Sequence, residues 1–226
     1  MIKNNVNYFC KDGKLKAWGV VMVALGFLLY YFGWGWISYI LMCLCIPAGA
    51  VLFIIGSSGR ASDEDIDGLI EVKMRGLDPS LDTDKRYASR IPKGFEPIRL
   101  EGYELRDGLM FRKAKDGALR SSEFTGSVLY VLTDAIYLVK RTFSLISDEE
   151  PTEGVHELSF DSISRAEIFE ETRSFAFKKN LFRAKVLRLR LVLESGEEIS
   201  LPIHDDLRSE SAVELINRAV EKGKKV

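Results

Sequence analysis

Between Ala17 and Gly59 the chain contains no Asp, Glu, Lys, Arg or His. Cysteine is scarce, with Cys10, Cys43 and Cys45 alone, and none follows residue 45. A disulfide framework is therefore excluded for the later part of the chain, as suits a reducing compartment. No Asn-x-Ser/Thr acceptor occurs. Histidine is limited to His156 and His204. A phosphate-binding glycine loop, a nucleophile elbow and zinc-ligand spacing are all missing, so nothing converges on catalysis or on a cofactor. The net charge of −1 argues against a nucleic-acid binder driven by bulk electrostatics.

What is present divides sharply. The uncharged block of 43 residues would make a single helix roughly 64 Å long at about 1.5 Å per residue. A hydrocarbon core is only about 30 Å thick. The block must double back, and Gly33-Trp34-Gly35-Trp36 is the natural turn. One span is expected from about Leu15 to Phe32 and a second from about Trp36 to Ile55. Trp18, Trp34 and Trp36, with Tyr30, Tyr31 and Tyr39, fall where the interfaces should be, the zone that amphipathic rings favour. Lys3, Lys11, Lys14 and Lys16 precede the first span and the turn carries no charge. The positive-inside rule then places both termini in the cytoplasm and the hairpin in the cytoplasmic (inner) membrane. Ala48-Gly49-Ala50 resembles a signal-cleavage site, but the apolar stretch before it is far longer than an h-region of about 7–15 residues. With no ionisable group inside either span, ion or proton transport has no pathway residues. The hairpin reads as an anchor.

Gly19, Gly26 and Gly33 recur at intervals of seven on the first span, and Gly49 and Gly56 repeat the interval on the second. Small residues let helices approach closely in lipid, so these stripes are expected to face each other or a second copy. Pro47 should bend the second span modestly.

The segment 61–97 reads as a linker with a short amphipathic helix. Asp63, Asp65, Asp67, Gly68 and Glu71 imitate a calcium loop, but Met74 stands where the bidentate Glu should be. Ser62 as N-cap, acids in the first turn and an apolar stripe at Ile66, Leu69, Ile70, Met74 and Leu77 explain the same residues as a helix. Asp78-Pro79 and the stretch from Pro92 to Pro97 read as irregular.

From about Ile98 short strands take over. Val128–Leu132 and Ala135–Val139 flank a Thr133-Asp134 turn. Leu187, Leu189, Leu191 and Leu193 alternate with Arg188 and Arg190, the pattern of a half-buried strand. Ser195-Gly196 turns the chain into Glu198–Ile203, and Leu207–Glu221 reads as a helix capped by Asp205 or Asp206. This order resembles the pleckstrin-homology-like superfold, particularly bacterial PH-like and GRAM-like domains. The resemblance rests on Gly126-Ser127-Val128-Leu129-Tyr130-Val131-Leu132-Thr133-Asp134, on Leu158-Ser159-Phe160-Asp161-Ser162-Ile163, and on the last strand pair with its helix. It spans about residues 105–222. It implies a β-sandwich or partly open barrel of six or seven strands, plugged by the C-terminal helix. The insert Ser144–Gly154 is not part of that pattern.

The expected organisation is thus an α+β membrane protein. Its parts are a transmembrane hairpin (1–60), the linker (61–97) and a cytoplasmic PH-like domain (98–226). Within the last, Arg173, Phe175, Phe177, Lys178, Lys179, Phe182, Arg183 and Lys185 interleave bases with aromatics. Between Thr172 and Leu193 there are seven basic residues and no acid. Read as a long loop, this stretch would meet anionic headgroups with its cations and dip Phe rings into the interface. The competing reading makes the Phe residues core and the bases a solvated face. The expected function is a non-enzymatic, membrane-anchored binding module for lipid or protein. The alternative is an assembly subunit whose hairpin oligomerises with itself or with another membrane protein. His204-Asp205-Asp206 is too local for a metal site, and Cys10 is close enough to the membrane for acylation.

Overall fold

The computed structural model describes residues 2–10, 14–32, 35–79, 81, 84–204 and 206–224, without the side chains of 206–209. The chain divides into two compact units, residues 1–62 and 63–226.

The first unit is helical. Helix α1 (Ile2–Cys10) precedes α2 (Lys14–Phe32) and α3 (Trp36–Ser57). Both α2 and α3 are long and apolar enough to cross a membrane, and most of their large side chains are exposed, among them Trp18, Phe27, Tyr31, Trp36 and Leu44. Helix α3 continues through Pro47. Gly35 adopts φ 103° before α3, a region glycine enters without steric cost. Gly33 and Trp34 lie outside the described residues. Two hydrogen bonds tie α1 to the segment after α3, Asn7 Nδ2 to Gly59 O at 2.7 Å and Ala61 N to Asn4 O at 3.1 Å.

The second unit is α+β. Helix α4 (Asp63–Met74) is followed by the short α5 (Lys85–Ala88) and, among the described residues, nine strands. Strands β1 (Ile98–Tyr103), β4 (Glu123–Val131), β5 (Ala135–Ser144) and β6 (Thr152–Ser159) form an antiparallel sheet in the order β1-β4-β5-β6. Strands β2 (Phe111–Lys113) and β3 (Leu119–Ser121) pair as a small hairpin, and β7 (Ile163–Phe177), β8 (Asn180–Leu193) and β9 (Glu198–Pro202) form a second sheet in chain order. Nine strands exceed the six or seven expected because β2 and β3 are three-residue pieces too short to show periodicity. The sheets do not close into one barrel, but they share a core. Leu129, Ile136 and Leu138 from the first meet Ile163, Leu189 and Leu191 from the second, and helix α6 (Asp206–Gly223) covers them with Ala212, Ile216 and Val220. Of the expected caps, Asp205 lies outside the described residues, as does the side chain of Asp206.

Two features depart from a loose-linker reading. Leu77, Leu81, Tyr87, Ile91 and Phe95 pack over Val128, Tyr130 and Val139, on the face of β4 and β5 away from the shared core. A strand's two faces alternate, so this stretch supplies the second layer that the outer face needs. Helix α4 is also held in place. Its buried Ile66 and Ile70 point inward, and Arg141 Nη1 donates to the carbonyls of Lys73 and Arg75 at 2.9 and 3.0 Å, filling acceptors a helix end leaves open. Asn217 of α6 bonds the edge of β7, accepting from Ala166 N at 2.8 Å and donating to Ala166 O at 2.9 Å.

Candidate functional site

The glycine positions of the helical unit come together. A Cβ on Gly19 would stand 2.6 Å from Phe53 N and 2.8 Å from Gly49 O, one on Gly49 would stand 2.8 Å from Gly19 O, and one on Gly56 would stand 2.6 Å from Lys16 N. On Gly26 it would meet Ile46 Cγ1 at 2.5 Å. The backbones of α2 and α3 are therefore in contact, and the stripe closes the hairpin on itself. Gly33 lies outside the described residues.

In the second unit the basic stretch is not a loop. Strands β7 and β8 pair in one register from Arg165↔Val192 to Phe177↔Asn180, leaving Lys178-Lys179 as the whole connection. Lys178 sits at φ 57°, the left-handed region that costs an ordinary side chain energy. A long two-stranded ribbon results, and its alternation divides the expected residues. Phe175 is 2% exposed and joins Phe111 and Val186 in a small core. Its ring centroid is 5.1 Å from Phe111, and Phe182 lies 6.3 Å from Phe111. Phe177 and Phe182 pack against the same cluster, half-buried. The β2–β3 hairpin thus braces the ribbon, and Phe175 is core.

The cations divide too. Along the stem, Arg173 pairs with Glu171 at 2.7 Å and Lys185 with Glu170 at 2.9 Å, both exposed, and Arg190 with Glu198 at 3.4 Å. The Glu171 carboxylate raises the pKa of Arg173. At the tip, Lys178 lies over the ring of Phe177 at 5.4 Å, while Lys179 and Arg183 have no carboxylate partner among the described residues. Leu181, 72% exposed, stands beside them. The structure therefore puts Leu181, not a Phe, at the apolar tip. Its place directly after Lys-Lys-Asn was the signal that the sequence held.

Below the tip, a cleft of about 310 Å³ runs along β8. Arg183, Lys185 and Arg188 line it, and among the described residues no acidic one does. Arg188 is oriented from behind by Glu104, which is 6% exposed and in direct contact with it. Thr125 Oγ1 donates to Glu104 Oε1 at 2.8 Å and exchanges a bond with Thr142 Oγ1 at 2.8 Å.

Tyr103, Ala118 and His204 line both this cleft and a neighbouring one. The Tyr103 hydroxyl is buried without a hydrogen bond, and Arg120 stands 5.9 Å from its ring centroid. Burial pushes its pKa up, against the pull of Arg120. The acids that imitate a calcium loop sit on α4, where Asp63 accepts from Lys115 N at 3.1 Å and Asp67 pairs with Arg120 at 2.7 Å. Among the described residues no group of three or more His, Cys, Asp and Glu could hold a metal ion. His156 and His204 are exposed and far apart in sequence.

No protein-family model matches the chain, and no curated protein matches it. A solved complex of the DH/PH domains of PDZ-RhoGEF with GTP-γ-S-activated RhoA is similar at 12% identity, over 93% of this chain, with a TM-score of 0.26. The chain spans about half the length of that protein, 53%, and a likeness at this level carries no argument for fold, partner or activity.

Proposed function

We propose that this protein is a non-enzymatic, membrane-anchored binding module. In it a PH-like domain presents the tip of the β7–β8 ribbon and the cleft beneath it to anionic lipid headgroups at the cytoplasmic face of the inner membrane. The observation that carries the reading is the coexistence of two features in one chain. One is a closed pair of helices of spanning length. The other is a paired ribbon whose end carries Lys178, Lys179 and Arg183 with an exposed Leu181. Each cation near an anionic surface contributes about 1 kcal/mol, so three give only weak binding in solution. Tethering by the hairpin raises the effective concentration and makes weak contact sufficient. Lys3 before α2 and Lys14 and Lys16 in its first turn support the orientation with both termini in the cytoplasm.

The assembly reading has less behind it, because the glycines that would have met a second copy are occupied within the hairpin. Co-sedimentation of residues 63–226 with vesicles tests the lipid reading. Binding to anionic but not zwitterionic vesicles is expected, with loss in Lys178→Glu/Lys179→Glu/Arg183→Glu and weakening in Leu181→Asp. Equal binding to both vesicle types, or none to either, would refute it. Reporter tags at both ends of the full chain test the topology, and opposite sides would overturn the hairpin anchor.

A further inference from the structure

The helical hairpin carries a groove that the ribbon tip does not use. It lies between α2 and α3, measures about 520 Å³, and has no polar side chain among its described lining residues. Small residues make it. Contact of Gly19 with Gly49 draws the helices together, and Ala24 and Ala50 leave a depression. Bulkier neighbours wall it, Val20 and Phe27 from α2 and Phe53 and Ile54 from α3. From Gly19 to Phe27 it runs about 12 Å, at about 1.5 Å per residue.

One end of this trough is charged. Lys16 precedes Val20, Val23 and Phe27 at helical spacing, so it heads the same face of α2. Its Nζ lies over the ring of Phe53, 5.2 Å from the centroid. That ring is itself a wall of the trough, which sets the ammonium at its mouth. On α3 the exposed Ser57 follows Ile54 on one face. Lys16 is exposed and makes no ion pair among the described residues. Residues 1–62 hold Lys3, Lys11, Lys14, Lys16 and Arg60 against Asp12 alone, so the chain itself supplies little counter-charge for this end.

An apolar trough that opens on a cation matches an amphiphile with a negative head. A helix from a second copy fits less well. Close helix approach in lipid needs small residues, and Phe27, 60% exposed, and Phe53, 38% exposed, project from the two helices. Two copies inserted in the same sense and meeting here would also set Lys16 against Lys16 at one depth. A hydrocarbon chain is thin enough to lie between the rings.

We infer that this trough seats one acyl chain of an anionic glycerophospholipid, whose headgroup phosphate pairs with the Lys16 ammonium. The chain runs over Ala24 and Ala50 between Phe27 and Phe53, and Ser57 lies at the headgroup end. The inference rests on the hairpin spanning the bilayer and needs nothing of the ribbon tip.

Native mass spectrometry of the full chain provides the test, with micelles doped equally with phosphatidylglycerol and phosphatidylcholine of matched chains. Phosphatidylglycerol should be retained over phosphatidylcholine by about fivefold or more, since one cation contributes about 1 kcal/mol and about 1.4 kcal/mol is tenfold. Lys16→Gln should bring the ratio near unity with both lipids still held, and Ala24→Phe, which fills the trough, should lose both. Lys178→Glu/Lys179→Glu/Arg183→Glu should keep the parent ratio, which separates this lipid from any at the ribbon tip. Equal retention by the parent, an unchanged ratio in Lys16→Gln, or full retention in Ala24→Phe would overturn the inference. Displacement by equimolar oleate would overturn the phospholipid and assign the trough to a fatty acid. Release of the chain from membranes by alkaline carbonate would instead overturn the spanning hairpin, and the trough with it.

Discussion

Replacing Glu104 by Leu should be among the most damaging single changes in the second unit, and replacing Arg188 with it should undo most of the damage. The Glu104 side chain is 8% exposed and that of Arg188 20%, in direct contact. Removing one partner of a buried pair costs about 3–5 kcal/mol, because the other charge stays desolvated and unanswered. Arg188 keeps a fifth of its surface and one long contact, Nη1 to Ser200 Oγ at 3.4 Å. The lower end, about 3 kcal/mol, therefore applies to Glu104→Leu. For a unit of this size that is a fall in Tm of about 6–12 °C, at about 2–4 °C per kcal/mol. In Glu104→Leu/Arg188→Met no charge is stranded, and Thr125 retains its bond to Thr142. Apolar replacement of both partners is often neutral or better, so the double variant should lie within about 1 kcal/mol of the parent. Urea unfolding of residues 63–226 across the four-member cycle measures the coupling. Additive single effects, or a cost for Glu104→Leu below about 1 kcal/mol, would refute the buried-pair account.

Gly49→Leu should separate α2 from α3, since a Cβ there already stands 2.8 Å from Gly19 O. A disulfide-trapping or FRET pair across the hairpin should report the loss, whereas Ala24→Leu serves as a milder control. Lys178→Gly should stabilise the ribbon by about 1 kcal/mol through relief of the left-handed backbone, while it lowers affinity for anionic vesicles. Stability and binding should thus move in opposite directions. Tyr103→Phe should leave stability at pH 7 unchanged or higher, because the hydroxyl it deletes is buried and unpaired and such a group is costly. Burial raises the Tyr103 pKa above its value in the unfolded chain. Parent stability should therefore be constant below about pH 10, the ordinary tyrosine value, and fall as pH climbs beyond it. The Phe variant should fall less over that window in a series of thermal melts.

The elements readable from residues alone were those with strong period or strong composition. The uncharged block predicted the two long helices because nothing else accommodates that many apolar residues, and observed Lys14–Phe32 and Trp36–Ser57 agree with the expected spans to within two residues. Leu187 to Leu193 alternate cleanly and form the end of β8. The Thr133-Asp134 turn lies between β4 and β5 as read. Helix α1 was not anticipated, since Ile2–Cys10 is short and mixes polar with aromatic residues. Strands β2 and β3 owe their pairing to Phe111 packing under the ribbon, a tertiary cause with no local trace.

The basic stretch shows why the site was only half legible. Its residue types were visible, but its connection is Lys-Lys, without the Asn or Gly that normally marks a two-residue hairpin, so a loop was the natural reading. Once the two strands pair, alternation assigns Phe175 inward, as the competing core reading had it, and leaves Leu181 outward. The strained turn at Lys178 is then the informative residue. A backbone in the left-handed region held by lysine instead of glycine gives up local stability to keep a cation at the end of a braced ribbon. The Lys178 ammonium also lies over the Phe177 ring at 5.4 Å, so vesicle binding has to separate the two roles. If Lys178→Gly raised stability and left vesicle binding untouched, the tip would be mere scaffold and the cleft beneath it, with Arg183 and Lys185, would have to carry the contact alone.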